Sequence, residues 1–378
     1  MSSNLLPWLE SQRDSMLALL KRLVEMESPS TDKQSVDAVG KVFAEELEAS
    51  GAKVSELPDE RFGNHLRATL GDSAPEGQIL LLGHLDTVWE LGTLRELPFR
   101  IEDGIAHGPG TFDMKGGLVQ LVFALRALSE AGRAATGVTA LVNSDEEVGS
   151  PSSRPYIEEE ARRSRVALVL EPSLPPNGKL KTFRKGGGIF RLHVKGREAH
   201  AGLDPEKGLS AIEELARQIR SLHELTDLGR GITVNVGLVR GGTRSNVIAG
   251  DADAEIDVRV STVADAREME EKVLNVRPFL EGAELDVKGK IDRLPLERSP
   301  AVVALYQKAR SLAEEIGFEL EEGSAGGGSD GNITAGLGVP TLDGLGAVGD
   351  GAHARNEHLL IDELPRRTAL LARLLETL

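Results

Sequence analysis

Residues 78–87 read QILLLGHLDT, an apolar run that passes without a break into a histidine and an aspartate. A run of this length with turn signals around it reads as a strand buried on both faces. Two further segments have the same form. GVTALV (137–142) leads through Asn143-Ser144 into Asp145-Glu146-Glu147, and VALVL (166–170) leads into Glu171-Pro172-Ser173. A helix is expected near 117–131, between the first two. Another is expected over 36–49, where Val36, Val39, Phe43 and Leu47 follow helical spacing and Gly51 stops it. Buried strands separated by helices imply a mainly parallel α/β sheet. Each of the three strands carries a histidine or carboxylates just past its C-terminal end, where such sheets bind ligands.

The pattern changes after about residue 184. IFRLHVK (189–195), ITVNVGLV (232–239) and DAEIDVRV (253–260) are half-exposed strands; in the last, Ala254, Ile256, Val258 and Val260 alternate with polar residues. Helices near 206–224 and 263–280 separate them, giving the β-α-β-β-α-β order of a split βαβ unit. From about 296 the chain returns to helix, a glycine loop at Gly326–Gly328, a short strand and a final helix from Leu364 to Leu375. The expected fold is an α/β domain (1–183 and 296–378) interrupted by an inserted α+β, ferredoxin-like domain (184–295). A chain of 378 residues fits two domains.

Composition narrows the function. A net charge of −16 removes the basic face that phosphate binding needs, and 3% aromatic content removes base-stacking platforms, so nucleic acid is excluded as a partner. No apolar stretch is long enough to span a membrane. The N-terminal stretch MSSNLLPWLESQRD lacks the basic region and apolar run of a secretory signal, so a cytoplasmic location is expected unless a signal has been removed. With no cysteine, disulfides and thiolate metal ligands are ruled out. Any metal here sits on His, Asp and Glu.

His84 and several carboxylates meeting at one sheet edge would repel each other unless a cation lay among them, and zinc accepts both imidazole nitrogen and carboxylate oxygen. In His84-x-Asp86 the alternation of a strand lets Asp86 orient the imidazole. The neighbours Glu146 and Glu147 diverge in direction, so one can bind metal while the other acts as general base. Between these strands, Gly110-Thr111-Phe112-Asp113-Met114-Lys115-Gly116-Gly117 presents Asp113 ahead of a helix.

The motifs GHLDTV, GPGTFDMKGG, SDEEVGS, LEPS and GAHARNE occur in order across essentially the whole chain. In this the sequence resembles the two-zinc aminoacylase and glutamate-carboxypeptidase family, which includes acetylornithine deacetylase, succinyl-diaminopimelate desuccinylase and several dipeptidases. The resemblance implies two zinc ions per chain, with cobalt or manganese as substitutes. His84 and Glu171 would hold one and Glu147 and His353 the other, with Asp113 bridging both. It makes Glu146 the general base and proton shuttle, Asp86 the residue that orients His84, and the peptide after Asp113 cis. KGREAHAG implies that His200 helps form an oxyanion hole. GGTRSN and DVR imply that Asn246 and Arg259 hold a substrate carboxylate, helped by Gly328 and Ser329 of the glycine loop.

The activity implied is hydrolysis of an amide next to a free carboxylate in a small peptide or N-acyl amino acid. HLDTVWELGTL followed by PFRIEDG and HGPG is most similar to bacterial glutamate carboxypeptidases. An N-acyl-amino-acid deacylase or a dipeptidase with the same centre stays open. A homodimer through the inserted domain is implied as well. His65, His107, His193, His223 and His358 match no ligand position and are read as structural or solvated, and Glu158–Arg163 as a solvated helix face. A metal-binding relative without turnover would lack the base or a ligand, and a single-metal hydrolase would not need Asp113, Glu147 and Glu171 together.

Overall fold

The computed structural model describes residues 5–71, 77–133 and 137–378. Met1–Asn4, part of the N-terminal stretch read above, lie outside the described residues. The chain divides into two compact units: Met1–Phe183 with Arg298–Ala325 and Ser329–Leu378, and Arg184–Glu297 with Gly326–Gly328.

The first unit is built on a six-stranded sheet. Its long strands are β1 (Lys53–Leu57), β2 (His65–Leu70), β3 (Gln78–His84), β4 (Val138–Asn143) and β5 (Ser164–Val169), in the order β1-β2-β4-β3-β5 with the short strand Thr341–Leu342 at the far edge. Pairing is parallel from β4 to that edge and antiparallel from β1 to β4. The sheet is therefore mainly parallel, with two antiparallel pairings at one edge. These pairings come from β1 and β2, which lack the continuous apolar run of the buried strands; the fully buried β4 reads VTALVN.

Helix α1 (Lys33–Ala49) starts at Asp32, whose side chain accepts from the Ser35 amide at 2.9 Å, and buries Val36, Val39, Phe43 and Leu47. Asp32 satisfies one of the amides that a helix start leaves without a partner. Helix α2 (Gly116–Glu130) is buried on nearly every side, as expected of a helix apolar all round. It lies close against the sheet because Gly117 has no side chain: a Cβ there would meet the Leu170 carbonyl oxygen at 2.2 Å. Among the described residues no helix is long and apolar enough to cross a membrane.

The second unit holds a four-stranded antiparallel sheet of β6 (Gly186–Lys195), β7 (Thr233–Gly241), β8 (Asp251–Val260) and β9 (Glu284–Arg293), ordered β7-β8-β6-β9. Ala252, Ala254, Ile256, Val258 and Val260 of β8 form its buried row. They pack with Leu215 and Leu222 of α3 (Ala211–His223) and with Met269 and Val273 of α4 (Val263–Leu274) in a core separate from that of the first unit. Both helices are shorter than their sequence pattern. Helix α3 begins only after Ser210, which caps it by accepting from the Glu213 amide, and α4 ends ahead of Pro278, which cannot continue a helix.

Candidate metal centre

Parallel register brings the chemistry together. His84 pairs with Asn143 and Leu82 with Val169, so the residues that follow β4 and β5 emerge beside the end of β3. A turn at Glu146–Val148 then presents the two glutamates, and Leu170 leads to Glu171. Asp113 comes from the loop before α2, and the peptide bond after it is cis. His353 comes from a loop near the C-terminus, where it adopts φ 61°, unusual for a residue with a side chain.

His84 Nδ1 donates to the Asp86 carbonyl oxygen at 2.9 Å. That bond leaves Nε2 to face Asp113 Oδ1 at 3.4 Å and Glu171 Oε1 at 3.6 Å. His353 Nε2 faces Asp113 Oδ2 at 3.3 Å and Glu147 Oε2 at 3.1 Å. Asp113 thus turns one oxygen toward each histidine. Glu146 contributes to the cluster too, with an oxygen within 4.8 Å of ligand atoms of both His84 and Glu171.

The Asp86 carboxylate faces His84 and also holds the acidic turn. Its oxygens accept from Ser30 Oγ at 2.6 Å and from the Glu146 and Glu147 amides at 3.3 and 3.2 Å, while its contact with His84 Nδ1 is a longer 3.4 Å. The strand ends at His84 and the chain bends at Leu85. The backbone carbonyl of Asp86 orients the imidazole, and its carboxylate anchors the turn bearing Glu146 and Glu147.

These groups suit cations. His84 Nε2, Asp113 Oδ1 and Glu147 Oε1 are buried without a hydrogen-bond partner. Two ligands bound at about 2.0–2.2 Å with tetrahedral angles lie about 3.3–3.6 Å apart; the four imidazole–carboxylate distances run from 3.1 to 3.6 Å. The electrostatics of the cluster carry the same need for positive charge. Burial works against a proton on His84, yet Asp113, Asp86 and Glu171 outweigh it and raise its pKa well above the ordinary value. Asp113 and Glu147 push His353 up to about 11. Burial and the neighbouring Asp113 raise Glu147. Either protons or metal ions must balance these carboxylates, and the donor set (two imidazoles and three carboxylates) fits zinc, cobalt or manganese.

The profile of Peptidase family M20/M25/M40 matches residues 80–377. The chain belongs to this family. It is therefore an enzyme of the metallopeptidase and amidohydrolase kind, in a family whose members typically hold two metal ions. It is 30% identical to carboxypeptidase G2 of Pseudomonas sp. (strain RS-16) over 373 residues, covering 96% of this chain and 89% of that one. It is 28% identical to succinyl-diaminopimelate desuccinylase of Dechloromonas aromatica (strain RCB), covering 97% and 99%. The aminopeptidase PepT of Bacillus cereus ATCC 10987 shares the fold, with a TM-score of 0.75 at 23% identity over 96% of this chain and 98% of that one.

The remaining sequence candidates divide between the units. His200 is exposed, and its Nδ1 accepts from the Gly202 and Leu203 amides, both at 3.1 Å. Its proton therefore sits on Nε2, leaving that nitrogen as a donor. Asn246 lies in an exposed turn where its carbonyl accepts from Ala201. Arg259 is held on its own strand by Asp257, through Nε at 3.0 Å and Nη2 at 2.8 Å. The Gly328 carbonyl accepts from Arg184. The Ser329 hydroxyl is buried and donates to Asp343 at 2.6 Å, which occupies it inside the first unit. Sequence reasoning assigned no role to Ser30 or Glu357. Only Glu357 had a visible signal, as the last residue of GAHARNE.

Proposed function

We propose that this protein is a two-metal hydrolase that releases the C-terminal amino acid from a small peptide or N-acyl amino acid, with glutamate the leading candidate. The observation that carries the two-metal reading is Asp113, with one carboxylate oxygen toward His84 and the other toward His353. His84 and Glu171 would hold one ion, Glu147 and His353 the other, and Asp113 both. Bound zinc supplies Lewis acidity, lowering the pKa of a water and polarising a carbonyl.

Glu146 takes a proton from the attacking water as its oxygen bonds to the scissile carbon. It returns that proton to the departing nitrogen as the C–N bond breaks. The Asp86 carboxylate holds the Glu146 amide and so fixes the backbone from which the base works. His200 Nε2–H is assigned to the developing oxyanion. Asn246, Arg259 and the Gly328 backbone are assigned to the substrate carboxylate, with Asp257 keeping the Arg259 fork extended until substrate competes for it. A cytoplasmic homodimer is the proposed form; a monomer in sedimentation at micromolar concentration would count against it.

The carboxypeptidase reading is supported by similarity to carboxypeptidase G2 along nearly all of both chains. A second reading, an N-acyl-amino-acid deacylase, is supported by the match of similar extent to a desuccinylase. Hydrolysis of folyl-glutamate, N-acetyl-glutamate, N-acetyl-ornithine, succinyl-diaminopimelate and several dipeptides by zinc-loaded enzyme separates them. Preference for C-terminal glutamate is expected. Turnover confined to short acyl groups or dipeptides would replace the carboxypeptidase assignment and leave the metal chemistry in place.

A further inference from the structure

Glu357 is buried, and its carboxylate accepts four N–H groups. Oε2 takes the Gly110 amide and the Trp89 indole, both at 2.8 Å, and Oε1 takes the Phe112 and Asp113 amides, both at 3.0 Å. Three of the four donors are backbone amides of one short segment that ends at Asp113. There the backbone leaves helical geometry, with Asp113 at φ −116° and ψ 97°, so these amides have no regular ladder to pair with. Glu357 also follows His353 by four residues, and the Gly108 amide donates to its backbone carbonyl at 3.4 Å. A single buried carboxylate therefore joins the segment that presents Asp113 to the segment that presents His353.

We propose that Glu357 is a positioning residue of the metal centre, holding the Asp113 loop against the His353 loop so that the two side chains meet at the separation a shared ion needs. This rests on the reading of Asp113 and His353 as metal ligands. Glu357 can fill this role because an ionised carboxylate is acceptor-only with about four lone-pair sites, which four donors here fill. An amide in its place would turn an N–H₂ group toward two N–H donors.

The test is equilibrium binding of zinc and cobalt to full-length Glu357→Gln, Trp89→Phe and Asp113→Asn. It is read together with the visible absorption of the cobalt-loaded proteins and the circular dichroism and thermal unfolding of the metal-free ones. Glu357→Gln is expected to keep its fold and to bind metal about 10- to 100-fold more weakly, as losses of groups that orient ligands do. Its cobalt bands should shift as well. Trp89→Phe removes one donor of the four and should weaken binding in the same direction, by less.

Glu357→Gln that binds both ions with unchanged affinity and unchanged cobalt bands would overturn the proposal. So would a lowered unfolding temperature with no change in metal binding, since that marks a purely structural acid. If Glu357→Gln does not fold, Trp89→Phe decides alone, and wild-type affinity and spectrum in that variant overturn the proposal. Asp113→Asn separates the two levels: retention of both ions there would remove Asp113 as a ligand, whereas loss there with Glu357→Gln unchanged defeats only the positioning role.

Discussion

At the end of β3, His84 faces Asp113 and Glu171 at 3.4 and 3.6 Å with its side chain 1% exposed. On β6, His193 faces Asp253 and Asp251 at 2.9 and 3.3 Å with its side chain 40% exposed. Each group is a histidine with two acids at comparable distances, yet their physics differs. Around His193 water solvates every charge, and exposed pairs of this kind contribute about 0–1 kcal/mol. Around His84 the solvent is gone, and charges at such separations interact several times more strongly than in water. The acids of the first group come from separate segments, and their backbones are pinned in place. Asp251 and Asp253 sit two apart on one strand, where alternation alone puts them on the same face. The centre is thus set apart by the convergence of separate segments, with burial added at His84 but not at the half-exposed His353, rather than by composition.

The strongest way to break this comparison is through Glu146. Glu146→Gln is expected to lower kcat by about 10²- to 10⁴-fold, the usual contribution of a positioned general base. Metal content should stay at the wild-type level, because the ligand groups remain. Retained turnover would remove Glu146 from the base role, and loss of an ion would make it a ligand instead.

Metal removal comes next. A site that binds ions only in the folded state, filled at 100-fold over its Kd, adds about 2.7 kcal/mol of stability. Dialysis against a chelator should therefore lower the unfolding temperature and abolish activity, and zinc should restore both. Chelation that left the unfolding temperature unchanged would mean that the buried carboxylates are balanced by protons on His84 and His353 alone.

Much of this is legible in the amino-acid sequence alone. Apolar runs ending in His84, Asp145-Glu146-Glu147 and Glu171 gave three parallel strands and the edge where they meet, because a strand buried on both faces has a composition of its own. The alternation in β8 marked the inserted sheet in the same way. What stayed hidden depended on the backbone. Asp86 works through its carbonyl on His84, and its carboxylate holds the amides of Glu146 and Glu147, which no side-chain pattern encodes. Glu357 reaches Phe112 across 245 positions of sequence. The antiparallel pairing of β1 and β2 was missed because neither strand is an unbroken apolar run.

A smaller effect is expected at His65, which lies beneath the acidic turn. Its Nδ1 accepts from the Ser144 amide at 3.2 Å, and its Nε2 meets Ser152 Oγ at 3.1 Å. Burial lowers its pKa below the ordinary value of 6.5, against the pull of Asp145, Asp59 and Asp86. Below pH about 6.5 the unfolded chain takes up a proton here that the folded chain refuses. Stability from this residue is therefore complete above that pH, falls as pH drops below it, and levels off beneath the folded pKa. Replacement by Phe should cost about 1–3 kcal/mol by stranding the Ser144 amide, and should flatten this arm of the stability curve. Denaturant unfolding of both proteins across pH 5–8 checks it; an unchanged slope would show that His65 titrates equally in both states.

The smallest effect should come from His193→Ala, and it sharpens the comparison most. His193 is paired in register with Asp253 across β6 and β8, so the substitution removes one cross-strand contact on an exposed face. Such contacts contribute about 0.2–1 kcal/mol. The stability change should fall within that range, measured by denaturant unfolding. Zinc stoichiometry should remain that of the wild type, since solvated acids that water already stabilises have no need of an ion. Loss of a bound ion in His193→Ala would mean that a histidine and two acids bind metal without convergence or burial. Neither would then be the variable that separates the two groups.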